Sequence, residues 1–293
     1  MTPTALLLVL VSALLHAAWN LLLKRAHDRF AFVWWYLLAP MLLFAPIALA
    51  LSAWELGPMP LLSLGCGLVS GVFQAANLLA MSVAYRKGDL GVVYPLSRGS
   101  GQVLTVALGV IVLGERLTPL GWTGVGLVFV GVYVVFLRSC SGTELLRPLR
   151  TLTQGSSLAA LAAGVTIAAY HLIDKVGVKN ANRYQYILLL FAADFATVTV
   201  FLAFRRRWDL VWAEWRANKA SIVAAGSLSL VSYLLVLFAL GLAQVAYVGP
   251  ARNVGIVFSV LLGALLLREK HGAMRIAGSA LIVVGLVLAS TGG

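Results

Sequence analysis

The chain has 293 residues, 61% of them hydrophobic and 11% charged, with a net charge of +12. An ordinary soluble domain is about 45 to 50% apolar and about 25% charged, so a water-soluble globular fold is excluded. In a soluble protein the excess positive charge would point to nucleic acid; here its placement matters more, because cytoplasmic loops of membrane proteins collect Lys and Arg.

A helix crossing a bilayer needs roughly 20 apolar residues. In chain order, apolar runs bounded by charge or turn residues predict spans over 4–23, 31–53, 61–85, 90–113, 119–137, 156–177, 184–204, 220–242, 246–267 and 273–290. The first run has no basic start and no small-residue cleavage site, so it reads as a retained span. Between the seventh and eighth runs, Trp208, Val211, Trp212 and Trp215 recur at helical spacing among Arg206, Arg207, Asp209, Glu214 and Arg216. That pattern predicts a short helix in the membrane interface with its indoles at headgroup depth. Cys66 lies in an apolar run and Cys140 in a connection, which is neither a disulfide framework nor a metal site.

A shift of 154 residues superposes Arg98, Gly101, Val106, Leu108, Gly109, Glu115, Gly124 and Gly131 on Arg252, Gly255, Val260, Leu262, Gly263, Glu269, Gly278 and Gly285. A shift of 151 lays Ala17-Ala18-Trp19-Asn20 and Lys24 on Ala168-Ala169-Tyr170-His171 and Lys175. Arg and Glu are rare here, so apolar composition does not explain these identities. The chain divides into a first repeat over 1–137, a basic connection over 138–155 and a second repeat over 156–293. Five spans per half make the second half enter the membrane from the opposite side, the inverted repeat common in transporters. The expected fold is all-α, ten transmembrane helices in two inverted five-helix repeats.

The loops after spans 1, 3, 5, 7 and 9 hold Lys24, Arg25, Arg29, Arg86, Lys87, Arg138, Arg147, Arg150, Arg205, Arg206, Arg207, Arg216, Lys219, Arg268, Lys270 and Arg275. The other side holds only Arg116, Lys175, Lys179 and Arg183. By the positive-inside rule the first set is cytoplasmic and both termini face outward, as in a multi-pass protein of the inner (plasma) membrane.

Leu113-Gly114-Glu115-Arg116-Leu117-Thr118, followed by Gly121, Gly124, Gly126 and Gly131, is echoed by Leu267-Arg268-Glu269-Lys270 with Gly278 and Gly285. Together with His16-Ala17-Ala18-Trp19-Asn20, these segments resemble the paired EamA domains of the drug/metabolite transporter superfamily over nearly the whole chain. Arg268 and His271 around the second glutamate depart from the commoner pattern. The resemblance implies a ten-helix secondary transporter with a central cavity. It leaves open amino acids, sugars, nucleotide sugars, organic phosphates, cations or drugs as cargo.

Two cations remain within the spans. Arg98 and Arg252 each sit about 9 to 12 Å from the entry surface at 1.5 Å per residue, approaching the midplane from opposite sides. A guanidinium fork suits carboxylate, phosphate or phosphonate, so either these arginines bind substrate or a nearby carboxylate neutralises them. Superfamily members of plastids resemble this chain in placing cations on spans 4 and 9 to hold phosphate. Pro95 and Pro250, close to the arginines, mark helix breaks or packing kinks. Asp194 is either a proton-coupling carboxylate or the counter-charge of Arg252. His16 and His171 serve as hydrogen-bonded structure or as a relay, with Asp174 and Lys175 nearer an interface. Trp19, Asn20, Tyr94, Tyr170 and Asn253 complete the expected substrate-binding set, with Tyr85, Gln74, Asn77, Gln102, Tyr233 and Tyr247 as further lining residues. Glu115 and Glu269 read as surface-level helix terminators in local ion pairs.

The expected activity is alternating-access transport of a small anionic or zwitterionic metabolite such as an amino acid, organic phosphate or phosphonate, through a cavity of spans 1, 3, 4, 6, 8 and 9. One rival is an exporter of hydrophobic or cationic compounds. A second is a membrane enzyme acting on lipid-linked phosphate, disfavoured because Ser97, Ser100 and Tyr94 lack a facing base. No metal or cofactor signature is present, the phosphate-loop pattern is missing, and the expected partners are the solute and the bilayer, not nucleic acid. The protein is expected to be a monomer or homodimer.

Overall fold

The computed structural model describes residues 1–23, 26–52, 58–88, 90–137, 141–146, 152–206, 208–267 and 272–292. Cys140, Lys24, Glu269, Arg268, Lys270 and His271, singled out above, lie outside them. The helices are α1 (Pro3–Leu23), α2 (Arg29–Ser52), α3 (Leu61–Lys87), α4 (Leu90–Leu113), α5 (Pro119–Val135), a single turn α6 (Gly142–Leu145), α7 (Gly155–Gly177), α8 (Arg183–Arg205), α9 (Trp208–Leu242), α10 (Val245–Ala251), α11 (Val254–Leu267) and α12 (Ala273–Thr291). Among the described residues nine helical stretches are long and apolar enough to cross a bilayer, and α5 is a shorter apolar helix of 17 residues. With α10 and α11 sharing one crossing, these are the ten expected spans.

Local sequence sets many of the ends. Thr118 caps α5, its hydroxyl accepting from the Gly121 amide at 3.1 Å with Pro119 at the first helical position. Asn182 caps α8 through the Tyr184 and Gln185 amides. At the end of α4, Gly114 takes φ +67 and the Glu115 amide donates back to Gly109 at 3.1 Å, a glycine-terminated closure.

The expected short helix and span 8 are two helices that meet at a kink at Asn218, where φ is −131 and ψ 21, and they are labelled together as α9. Trp35 stacks on Trp215 at 4.4 Å and its indole donates to Val211 O at 2.7 Å, so the short helix packs on α2. The two prolines behave differently. Helix α4 continues through Pro95, which supplies no amide to its ladder, whereas span 9 opens after Pro250 into α10 and α11. Across that opening the Asn253, Gly255 and Ile256 amides donate to Pro250, Arg252 and Asn253 carbonyls, the tighter i to i+3 pattern. Asn253 sits in the break, and asparagine favours turns over helix interiors.

The halves interlock through equivalent pairs: α3 packs on α7 and α1 on α9. α5 crosses α12 where Gly124 meets Gly285 and Gly131 meets Gly278. Each glycine contacts the echo of the other, as a pseudo-twofold axis requires, and no side chain separates the backbones. Large apolar side chains such as Leu61, Ile111 and Phe204 cover the perimeter and are 83%, 78% and 84% exposed, a surface suited to lipid.

Candidate functional site

Helical periodicity assembles the site. On α1, His16, Trp19 and Asn20 fall at i, i+3 and i+4, and so do Tyr94, Ser97 and Arg98 on α4 and Ser229, Ser232 and Tyr233 on α9. Side chains at these spacings share one face. The three faces, with Gln74, Asn77, Met81 and Tyr85 of α3, Tyr170 of α7, Asp194 of α8 and Arg252 beyond α10, enclose a cavity of about 240 Å³. Its lining reaches Leu23 and Tyr85, near the ends of α1 and α3 on the cation-rich face of the protein.

Arg98 and Arg252, one from each half, both line this cavity. Among the described residues neither guanidinium has a carboxylate within 4.0 Å. Arg252 Nη1 lies 2.6 Å from His171 Nε2, and its guanidinium lies over the Tyr233 ring at 5.4 Å. A guanidinium can only donate, so Nε2 accepts and the imidazole proton resides on Nδ1. Arg98 lies over the Tyr94 ring at 5.7 Å. Aromatic faces hold both cations in place without cancelling their charge.

Asp194 is buried, one of its carboxylate oxygens has no hydrogen-bond partner, and among the described residues it forms no salt bridge with Arg252. Among the described residues, the cavity lining carries two arginines and one carboxylate. The Trp19 Nε1, Gln74 Nε2 and Ser97 Oγ atoms are likewise buried without partners, leaving further donors in the lining.

Glu115 is corrected in role. It is 8% exposed and accepts from the Val245 and Ala246 amides at 2.8 and 2.9 Å, joining the end of α4 to the start of α10. The closure at Gly114 turns the chain so that the carboxylate meets those amides instead of Arg116. Asp174, in the last turn of α7, is fully buried within the protein and accepts from Tyr186 at 2.8 Å and from Tyr233.

Twelve of the expected residues line the cavity: His16, Trp19, Asn20, Gln74, Asn77, Tyr85, Tyr94, Arg98, Tyr170, Asp194, Tyr233 and Arg252. The other expected residues stand around it. His171 lies behind Arg252, while Asn253 and Pro250 are buried in the helix break and Pro95 in α4. The Asn20 amide donates to His16 O at 2.7 Å, so part of its capacity stays within α1.

Residues 3–137 and 155–291 each match the EamA-like transporter family, two repeats that together span nearly the whole chain. The chain belongs to the EamA-like transporter family. As an EamA-like transporter it is a multi-pass membrane protein of the drug/metabolite transporter superfamily, and not an enzyme. It is 39% identical to the spermidine export protein MdtI of Salmonella arizonae over 71 residues, 24% of this chain and 65% of that protein. Over 73 residues it is 41% identical to the MdtI of Cronobacter sakazakii, 24% of this chain and 67% of that one. The match thus spans about two thirds of the length of these relatives. A crystal structure with 16% sequence identity superposes with a TM-score of 0.75 over 99% of both chains, showing the same fold.

Sequence reasoning missed part of this EamA-like site. Tyr36 and Leu37 of α2 and Phe191 of α8 line the cavity, so spans 2 and 7 join the six expected. Tyr36 lies four residues after the fully buried Phe32, one turn along the same face, which was the available signal.

Proposed function

We propose that the EamA-like transporter carries a small anionic or zwitterionic solute, held between Arg98 and Arg252 and exposed alternately to the two faces of the membrane. The observation that carries this reading is the pair of arginines from opposite repeats, in one cavity, with no carboxylate partner among the described residues. A cation held within a membrane span without a counter-charge is costly, and an anion arriving between two of them relieves that cost. Each fork can take two oxygens of a carboxylate, phosphate or phosphonate. Following the distribution of Lys and Arg, the cavity mouth faces the cytoplasm of an inner (plasma) membrane protein with both termini outside.

A second reading has its own support. Asp194 offers a free carboxylate oxygen to the cavity, and the relatives matched over a quarter of the chain are spermidine exporters by name. A cationic cargo would engage Asp194 and be repelled by the arginines; a zwitterion would satisfy both poles.

Thermal unfolding of the purified protein against amino acids, organic phosphates, phosphonates and spermidine separates the readings, because a ligand stabilises the state that binds it. Stabilisation by a solute with an anionic group, lost in Arg98→Gln and Arg252→Gln, is the expected result. Stabilisation by spermidine alone, retained in both variants, would replace it with the cationic reading.

A further inference from the structure

On the face opposite the cavity mouth, two charged side chains from different repeats converge on the turn between α9 and α10. Glu115, just past α4, accepts from the Val245 and Ala246 amides at 2.8 and 2.9 Å. Lys175, in the last turn of α7, donates to Leu240 O and Ala243 O, both at 2.7 Å. The acid meets the amides that open α10 and the base meets the carbonyls that close α9, so each charge complements the backbone dipoles that it faces. The turn is thereby tied to the far ends of α4 and α7, the two helices that carry Arg98 and His171.

Behind these contacts the protein is closed. Every residue of α10 is buried, and Val245 and Ala246 are fully so. About two turns further along, α10 leads to Arg252, whose guanidinium contacts His171 of α7. An opening from the opposite face toward Arg252 that parts α10 from α4 or α9 from α7 separates elements that pack on one another. The first separation breaks the Glu115 contacts and the second breaks those of Lys175.

We infer that Glu115 and Lys175 are positioning residues that hold the α9–α10 turn shut on the face opposite the cavity mouth, and that their release is required for Arg252 to become accessible from that face. The inference rests on the alternating-access reading proposed above. It concerns neither the solute nor the arginines themselves.

The test uses the full-length protein in lipid nanodiscs, where both faces are open to reagent. With Cys66 and Cys140 replaced by Ser, a single cysteine is introduced either as Met81→Cys, on the cavity wall of α3, or as Val248→Cys, buried in α10. Each is labelled with a membrane-impermeant maleimide in the unsubstituted clamp, in Glu115→Gln and in Lys175→Met. Losing a charge-assisted contact shifts the balance between the two closures by about tenfold. Val248→Cys labelling should rise accordingly in both clamp variants while Met81→Cys labelling falls, in protein that remains monodisperse. Unchanged labelling at Val248→Cys would overturn the inference, and so would a parallel rise at both positions, which marks loosening without exchange. Should Glu115→Gln not fold, Lys175→Met carries the comparison alone. Labelling is read without added solute, so an error in the proposed solute class leaves this outcome untouched.

Discussion

Replacing Gly124 by Ala adds one methyl group where α5 crosses α12. Its Cβ would stand 2.6 Å from the Gly285 carbonyl oxygen and 2.8 Å from the Ala289 Cα, against the 3.4 Å at which ordinary contact begins. Both neighbours are backbone, so no rotamer change relieves the clash and the helices must separate. Overpacking of this kind costs about 1 to 3 kcal/mol. The gain from alanine's helix propensity, about 1 kcal/mol, offsets it only in part. Gly126 lies two residues away on the same helix with nothing within 4 Å of its Cβ position, so Gly126→Ala receives the gain and none of the clash. Thermal unfolding in one detergent, followed by tryptophan fluorescence, should place Gly124→Ala a few degrees below the unsubstituted protein and Gly126→Ala at or slightly above it. Equal midpoints for the two variants would refute the argument that the repeats are joined through this glycine crossing.

Two other substitutions separate structure from transport. Glu214 is 2% exposed and accepts from the His27 and Asp28 amides and the Asn218 side chain, so Glu214→Ala should destabilise the protein by about 1 to 3 kcal/mol in the same unfolding assay. Asp194→Asn should leave flux of a purely anionic solute within about twofold, since among the described residues no hydrogen bond or salt bridge links Asp194 to either guanidinium and sites without shared partners act nearly independently. Flux of a solute bearing an ammonium group should fall by about tenfold, the value of a charge-assisted hydrogen bond. Both are measured in proteoliposomes with solutes matched in size.

The ten crossings were legible because a span needs only an unbroken apolar run, and the convergence of Arg98 with Arg252 was legible because the repeat is written into the chain. What stayed hidden depends on distance through space. Pro95 and Pro250 look alike in sequence, yet only the second precedes a break, where Asn253 follows Arg252 in place of the Gly99 that follows Arg98. Asp194 reads as a partner for Arg252 because both are rare intramembrane charges. Their separation is set by how α8 packs beside α3, where Gly71 lets the backbones approach. Glu115 sits beside Arg116 in the chain, and only the left-handed turn at Gly114 carries it to the amides of α10. Tyr36 reaches the cavity because α2 packs against α9, a tertiary fact with no local signature beyond its place one turn after Phe32.

The central claim is that Arg98 and Arg252 jointly bind the anionic group of the transported solute. Proteoliposome flux of the solute that most stabilises the purified protein tests it directly, comparing the unsubstituted chain with Arg98→Gln and Arg252→Gln. Each substitution removes a charge-assisted contact, so flux at subsaturating solute should fall by about tenfold to a hundredfold, with both variants folded and monodisperse. Flux of the same solute at unchanged rate and affinity in either variant would contradict the claim.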